Sequence, residues 1–123
     1  ATQDALLEQI QRTLPHLDAL AILDQVRTPD AGVVTGRIRH FFSQTTTTIP
    51  VLADSRSRIG CFFGVMLKPN EAEARAAVPT ATTAQEAAQT LAQQCGRPVF
   101  LTQSERGIWC VHPSLAAQRI PAY

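Results

Sequence analysis

VMLKPNEAEARAAV, residues 65–78, decides the fold. The apolar run Val65-Met66-Leu67 ends at Lys68-Pro69-Asn70, and an alanine-rich acidic segment comes directly after it. An apolar stretch this short suits a buried strand. Asn70 followed three residues later by Glu73 is the pattern of a capping box, in which each side chain satisfies a free N–H at a helix start. The stretch therefore reads as strand, sharp turn and helix. Thr83-Ala84-Gln85-Glu86 repeats the form and opens the next alanine-rich segment. On spacing alone Asn70-x-x-Glu73 is a cap; whether it also holds something charged depends on what surrounds it.

Working outward, the same alternation continues in both directions. Leu6, Leu7, Ile10 and Leu14 share a helical face over residues 3–14, which Pro15 ends. ALAIL (19–23) is wholly apolar, as a strand covered on both faces would be. Val34, Ile38 and Phe42 predict a helix over 31–43. The β-branched run Thr45–Thr48 leads to a strand at 49–53, and a loop around Gly60, with a helical turn, leads to a strand at 64–67. Helices come next over 71–78 and 84–95, parted by Pro79, with Gly96 ending the second. Strands at 98–102 and 107–112 flank Ser104-Glu105-Arg106-Gly107, a tight hairpin turn, and QRIPA (118–122) is one more extended segment. This order predicts an α/β fold with a mostly parallel sheet and an antiparallel hairpin at one edge. No linker divides the chain and no internal repeat is present.

The totals narrow the function. With 123 residues, 45% hydrophobic content and a formal charge of +1, the chain is about one domain. Arg37 with Arg39 and Arg56 with Arg58 are local pairs on solvated faces, not a nucleic-acid footprint. No apolar run reaches the roughly 18 residues of a membrane span, and no signal peptide is visible, so a cytoplasmic location is expected. Cys61, Cys95 and Cys110 are odd in number and sit mostly in apolar contexts, predicting reduced, buried thiols. His16, His40 and His112 lack metal-ligand spacing with them. The chain starts at Ala1, its only Met is Met66, and it stops at RIPAY directly after a strand-like segment, which predicts a piece of a longer protein. Because open parallel sheets bind ligands at the carboxyl ends of their strands, Asp24, Asp54, Lys68, Asn70 and Thr102 form the expected rim of a site.

VLADSR (51–56), VMLKPNEAEA (65–74) and VFLTQSERG (99–107), in this order and spacing, resemble the middle and later part of a PfkB (ribokinase-like) carbohydrate kinase. DALAILDQV and GVVTGRIR resemble that family's central strand and helix, so the likeness runs over about residues 15–112. The Ser in the TxSExG turn is closest to heptose-phosphate kinases. The resemblance implies a partial three-layer ribokinase-like sandwich over 1–123 and ATP-dependent phosphorylation of a sugar or sugar phosphate, with Mg2+. Asn70 and Glu73 match the family's Asn-x-x-Glu motif, which positions magnesium and the ATP phosphates. Lys68 adds positive charge there. Thr102, Ser104 and Gly107 match its Thr-x-Gly-x-x-Gly nucleotide turn, with Ser104 in place of the commoner Gly. Asp54 and, more weakly, Arg56 stand where the family faces the phosphates. The family's Gly-Ala-Gly-Asp segment, which carries its catalytic base and anion hole, has no counterpart, since the six glycines here form no Gly-x-Gly. The amino-terminal sugar and lid part is also missing. The resemblance thus implies a kinase fragment on the nucleotide side, inactive alone and without an identifiable catalytic residue. The competing reading is a non-catalytic α/β module that binds a nucleotide or partner chain. A Rossmann dehydrogenase fits poorly, because no Gly-x-Gly-x-x-Gly comes after a strand. A sheet with uncovered edges invites pairing with another chain, so a homodimer is expected.

Overall fold

The computed structural model describes residues 2–123. Its elements alternate as the apolar periodicities require: α1 (Thr2–Thr13), β1 (Leu20–Asp24), α2 (Gly36–Gln44), β2 (Val51–Ser55), β3 (Met66–Leu67), α3 (Glu71–Ala77), α4 (Ala84–Cys95), β4 (Val99–Thr102), β5 (Ile108–Val111) and β6 (Gln118–Ile120). Single 3-10 turns lie at Leu14–His16, Ile59–Cys61 and Ser104–Arg106. The strands form one sheet in the order β1-β2-β3-β4-β5-β6. Pairing is parallel from β1 to β4 and antiparallel from β4 to β6.

One row across the sheet shows where the core lies. Ile22, Ala53, Leu67, Val99 and Val111 are partners in register on successive strands, and all are buried. They share one hydrophobic cluster with Ile38 and Phe42 of α2, Ala74 of α3, and Ala87, Ala88, Leu91 and Cys95 of α4. Alanines dominate the inner faces of α3 and α4, and Leu91 is the largest buried side chain that α4 adds to the cluster. Leu6, Leu7 and Ile10 of α1 pack against the edge of the same cluster.

The opposite row is different. Leu23, Leu52, Asp54, Met66, Phe100 and Cys110 are half-buried or exposed. The described residues therefore build two layers, helices on sheet, and the third layer of the expected sandwich is not among them. This corrects the reading of residues 19–23 as a strand covered on both faces. Ala21 is exposed and Leu23 is 63% exposed, because none of the described residues covers that side of β1. The antiparallel edge is as expected, and β6 is its outermost strand.

Three other local readings change. α2 begins at Gly36, five residues later than the apolar spacing suggests. Asp30 accepts the Gly36 N–H at 2.7 Å from outside the helix, and the intervening residues 31–35 form a loop. β2 starts at Val51, not Ile49, which carries Asp54 into the strand. Residues 103–107 form a five-residue loop containing a helical turn, closed by Gln103 N–H to Gly107 O at 2.8 Å, in place of the tight turn expected over Ser104-Glu105-Arg106-Gly107.

Candidate functional site

Parallel pairing assembles a cleft at the carboxyl ends of β2, β3 and β4. The Lys68 N–H donates to Ala53 O at 2.9 Å, which continues the β2–β3 ladder past the last strand residue. Thr102 N–H donates to Pro69 O at 2.9 Å, and Asn70 bridges to Thr102. Lys68-Pro69-Asn70 is thus held on both sides by backbone. This places the Lys68 ammonium 3.5 Å from an Asp54 carboxylate oxygen. Both side chains remain partly open to water, so the pair contributes only ~0–1 kcal/mol to stability. Its charge is held at the cleft mouth more than it holds the fold.

The cleft encloses about 710 Å³ and is lined by Gln25, Arg27, Asp54, Arg56, Ser57, Lys68, Asn70, Glu73, Ala76 and Thr102. Five of the residues expected from sequence, Asp54, Lys68, Asn70, Glu73 and Thr102, therefore face one space, and Arg56 joins them. Ser104 and Gly107 do not line it. Ser104 is exposed at φ +51°, and Gly107 is buried. A Cβ on Gly107 would lie 1.9 Å from Ile120 O, so what closes on this glycine is the backbone of β6.

Asn70-x-x-Glu73 is a complete capping box. The Glu73 N–H donates to Asn70 Oδ1 at 2.8 Å, and the Asn70 N–H donates to Glu73 Oε2 at 2.9 Å. The control differs in one bond. Thr83 Oγ1 accepts from the Glu86 N–H at 3.1 Å, but the Glu86 carboxylate reaches past it to the backbone N–H and hydroxyl of Thr82. Those two donors hold the Glu86 carboxyl below its ordinary value.

Asp24, expected on the rim, is buried beneath it. Its carboxylate accepts from Arg58 Nε at 3.1 Å, Arg58 Nη2 at 3.0 Å and the Ser55 hydroxyl at 2.8 Å. Arg58 goes on to donate to the carbonyls of Arg27, at 2.9 Å, and Val26. It clasps the loop after β1 to the loop after β2. Sequence reasoning missed Gln25, Arg27 and Ser57. They carry no periodicity, and Arg27 stands alone in sequence.

A magnesium ion chelated directly does not fit these residues. Among the described residues no group of three or more His, Cys, Asp or Glu converges as a metal site. Asn70 Oδ1 and Glu73 Oε2 are already accepting. A hydrated ion held mainly by phosphate oxygens does fit, since magnesium keeps several waters and needs one or two carboxylates. The thiols are all free, but only Cys95 is buried; Cys110 is half-buried and Cys61 exposed, which corrects the expectation for Cys61. Among the described residues no helix is long and apolar enough to cross a membrane.

No family model and no curated protein matches the sequence. Solved structures do resemble the fold. Ribokinase from Thermotoga maritima superposes with a TM-score of 0.68 at 16% identity, covering 91% of this chain and 37% of that one. Phosphofructokinase-2 from Escherichia coli, in complex with fructose-6-phosphate, superposes at 0.66 and 15%, covering 93% and 41%. A mutant of the same enzyme gives 0.67 and 17%, again covering 93% and 41%. The fold is ribokinase-like, and the chain spans about two fifths of the length of these enzymes. Nothing in these likenesses favours the heptose-phosphate kinases.

Proposed function

We propose that this chain is part of an ATP-dependent sugar kinase of the PfkB type. It carries part of the magnesium–nucleotide side of a site that moves the ATP γ-phosphate to a hydroxyl of a sugar or sugar phosphate. The observation that supports this most is the convergence of Asp54, Lys68, Asn70, Glu73 and Thr102 on one cleft at the carboxyl ends of parallel strands, on a fold that ribokinase and phosphofructokinase-2 share. Phosphoryl transfer asks for positioning and charge stabilisation more than for covalent chemistry. Lys68, its ammonium fixed beside Asp54, is suited to neutralise phosphate oxygens. The Thr102 hydroxyl makes only a long contact to Pro69 O, at 3.4 Å, and is free to turn toward a phosphate. Glu73 keeps one carboxylate oxygen outside its capping bond, enough to accept from the water shell of an ion. Magnesium, when bound with ATP, supplies charge neutralisation at the β- and γ-phosphates. Ser104 and Gly107 belong to this reading as the neighbouring turn beyond Thr102, outside the cleft lining. None of the carboxylates is assigned as a base, and the chain alone is expected to show no turnover.

Isothermal titration of magnesium-ATP into the chain and into Lys68→Met tests the reading. Binding by the parent and at least a tenfold loss in Lys68→Met are expected. No binding by the parent, or equal binding by the variant, removes the nucleotide side from this cleft.

A further inference from the structure

We infer that Arg27 and Arg56 form a second oxyanion subsite in the cleft, one that takes the phosphate monoester of the acceptor substrate. The inference rests on the kinase reading and narrows its substrate to a phosphorylated sugar. Among the described residues neither arginine has a carboxylate partner; Arg39, Arg75, Arg97 and Arg119 share that property, but of the unpaired arginines only Arg27 and Arg56 line the cleft. Of the two acids in the cleft, Asp54 faces Lys68 and Glu73 closes its own helix cap. The charge of Arg27 and Arg56 is therefore not neutralised from within the cleft.

The neighbouring groups reinforce one polarity. Arg56 Nε donates to Gln25 Oε1 at 2.7 Å, which spends that oxygen and leaves the Gln25 amide NH2 and the outer Arg56 nitrogens as donors. Arg27 and Ser57 also line the cleft, and each carries side-chain donors. A surface of donors around two guanidiniums suits a dianion with three oxygens, since the planar fork matches phosphate geometry. A phosphate monoester carries close to two negative charges at neutral pH.

The clasp beneath explains how two loop arginines come to line one space. Arg58 holds Asp24 through two nitrogens and takes the carbonyls of Val26 and Arg27. Its own N–H donates to Ser55 Oγ at 3.0 Å, and Arg56 N–H donates to Asp24 O at 3.2 Å. The backbones that carry Arg27 and Arg56 are thereby joined to each other before any ligand arrives. Lys68 stands on the next strand over, so the cleft offers two cationic ends, one on the β1–β2 loops and one after β3.

The test titrates inorganic phosphate into the chain saturated with magnesium-ATP and monitors the Arg side-chain N–H resonances by NMR. Phosphate is expected to bind without displacing the nucleotide and to shift Arg27 and Arg56. Arg27→Gln with Arg56→Gln should weaken phosphate at least tenfold and change magnesium-ATP affinity less than twofold, with Lys68→Met showing the converse. Glucose 6-phosphate should bind through the same two arginines more tightly than glucose. Competition between phosphate and magnesium-ATP would assign the arginines to the nucleotide tail and overturn the inference, as would undiminished phosphate binding in the double variant or equal binding of the two sugars. If magnesium-ATP fails to bind while phosphate binding stays arginine-dependent, the kinase reading falls and the subsite stands.

Discussion

Gly107→Ala separates two reasons for a glycine after the β4 turn. The resemblance to nucleotide-binding turns attributes it to close approach of phosphate; the structure closes that side with protein. Gly107 has φ +89° and ψ −142°, a conformation that only glycine adopts readily. Forcing alanine into such a region costs on the order of 1–3 kcal/mol. Its Cβ would also stand 1.9 Å from Ile120 O and 2.8 Å from Ala122 N, which ordinary side-chain adjustment cannot relieve. The backbone of β6 must move away, and its register with Ile108, Trp109 and Cys110 is lost. Because β6 is exposed along its length, its loss adds little beyond a few ladder bonds, at about 1 kcal/mol each or less. The total is about 2–4 kcal/mol. At roughly 4 °C per kcal/mol for a chain of this size, the melting temperature should fall by about 10 °C. Hydrogen exchange should show the β5 amides that face β6 deprotected, while those facing β4 keep their protection. Repeating the substitution in a chain shortened after residue 117 isolates the clash, since only the backbone strain then remains. An equal penalty in both backgrounds, or full protection of β5 in Gly107→Ala, refutes the argument that Ile120 fixes this glycine.

The two helix caps provide a second comparison. Glu73→Gln and Glu86→Gln should each cost little stability, because Gln can still accept at a helix start. Only Glu73→Gln should reduce the rise in melting temperature caused by magnesium-ATP. Equal ligand shifts in both variants and the parent would make Asn70-x-x-Glu73 a cap alone. Glu86 carries its own signature: the Thr82 donors lower its folded value, so its contribution is present above about pH 4.5 and is lost as pH falls further. Glu86→Gln should therefore flatten part of the acid limb of the stability curve, and an unchanged limb would count against those bonds. At the open edge of the sheet, Leu23→Lys should raise the monomer fraction in sedimentation, because Leu23 and Val33 are 63% and 70% exposed. A parent already monomeric at high concentration would remove self-association through β1.

The boundaries that sequence located best are those written in neighbouring residues. α3 and α4 lie where Asn70, Thr83 and Gly96 put them, since a cap is chemistry between positions three or four apart. α2 failed by the same logic. Its first N–H is met by Asp30, six residues upstream, and the Thr35 hydroxyl bonds Gln3 on another helix. ALAIL says that a strand is apolar but not which layers are present to cover it, and Leu23 shows the difference. For the candidate site, Asp54, Lys68, Asn70 and Thr102 were legible because parallel strands deliver their carboxyl-terminal neighbours to one edge, and Glu73 through its spacing from Asn70. Asp24 obeyed the same rule and still went elsewhere, because an arginine 34 residues later took it below the rim. That long-range pair also ties together the loops that bring Arg27 and Arg56 to the lining of one cleft. Their shared place in that lining depends on two loops being joined through buried Asp24 and Ser55 and half-buried Arg58. No spacing rule along the chain encodes a contact of that kind.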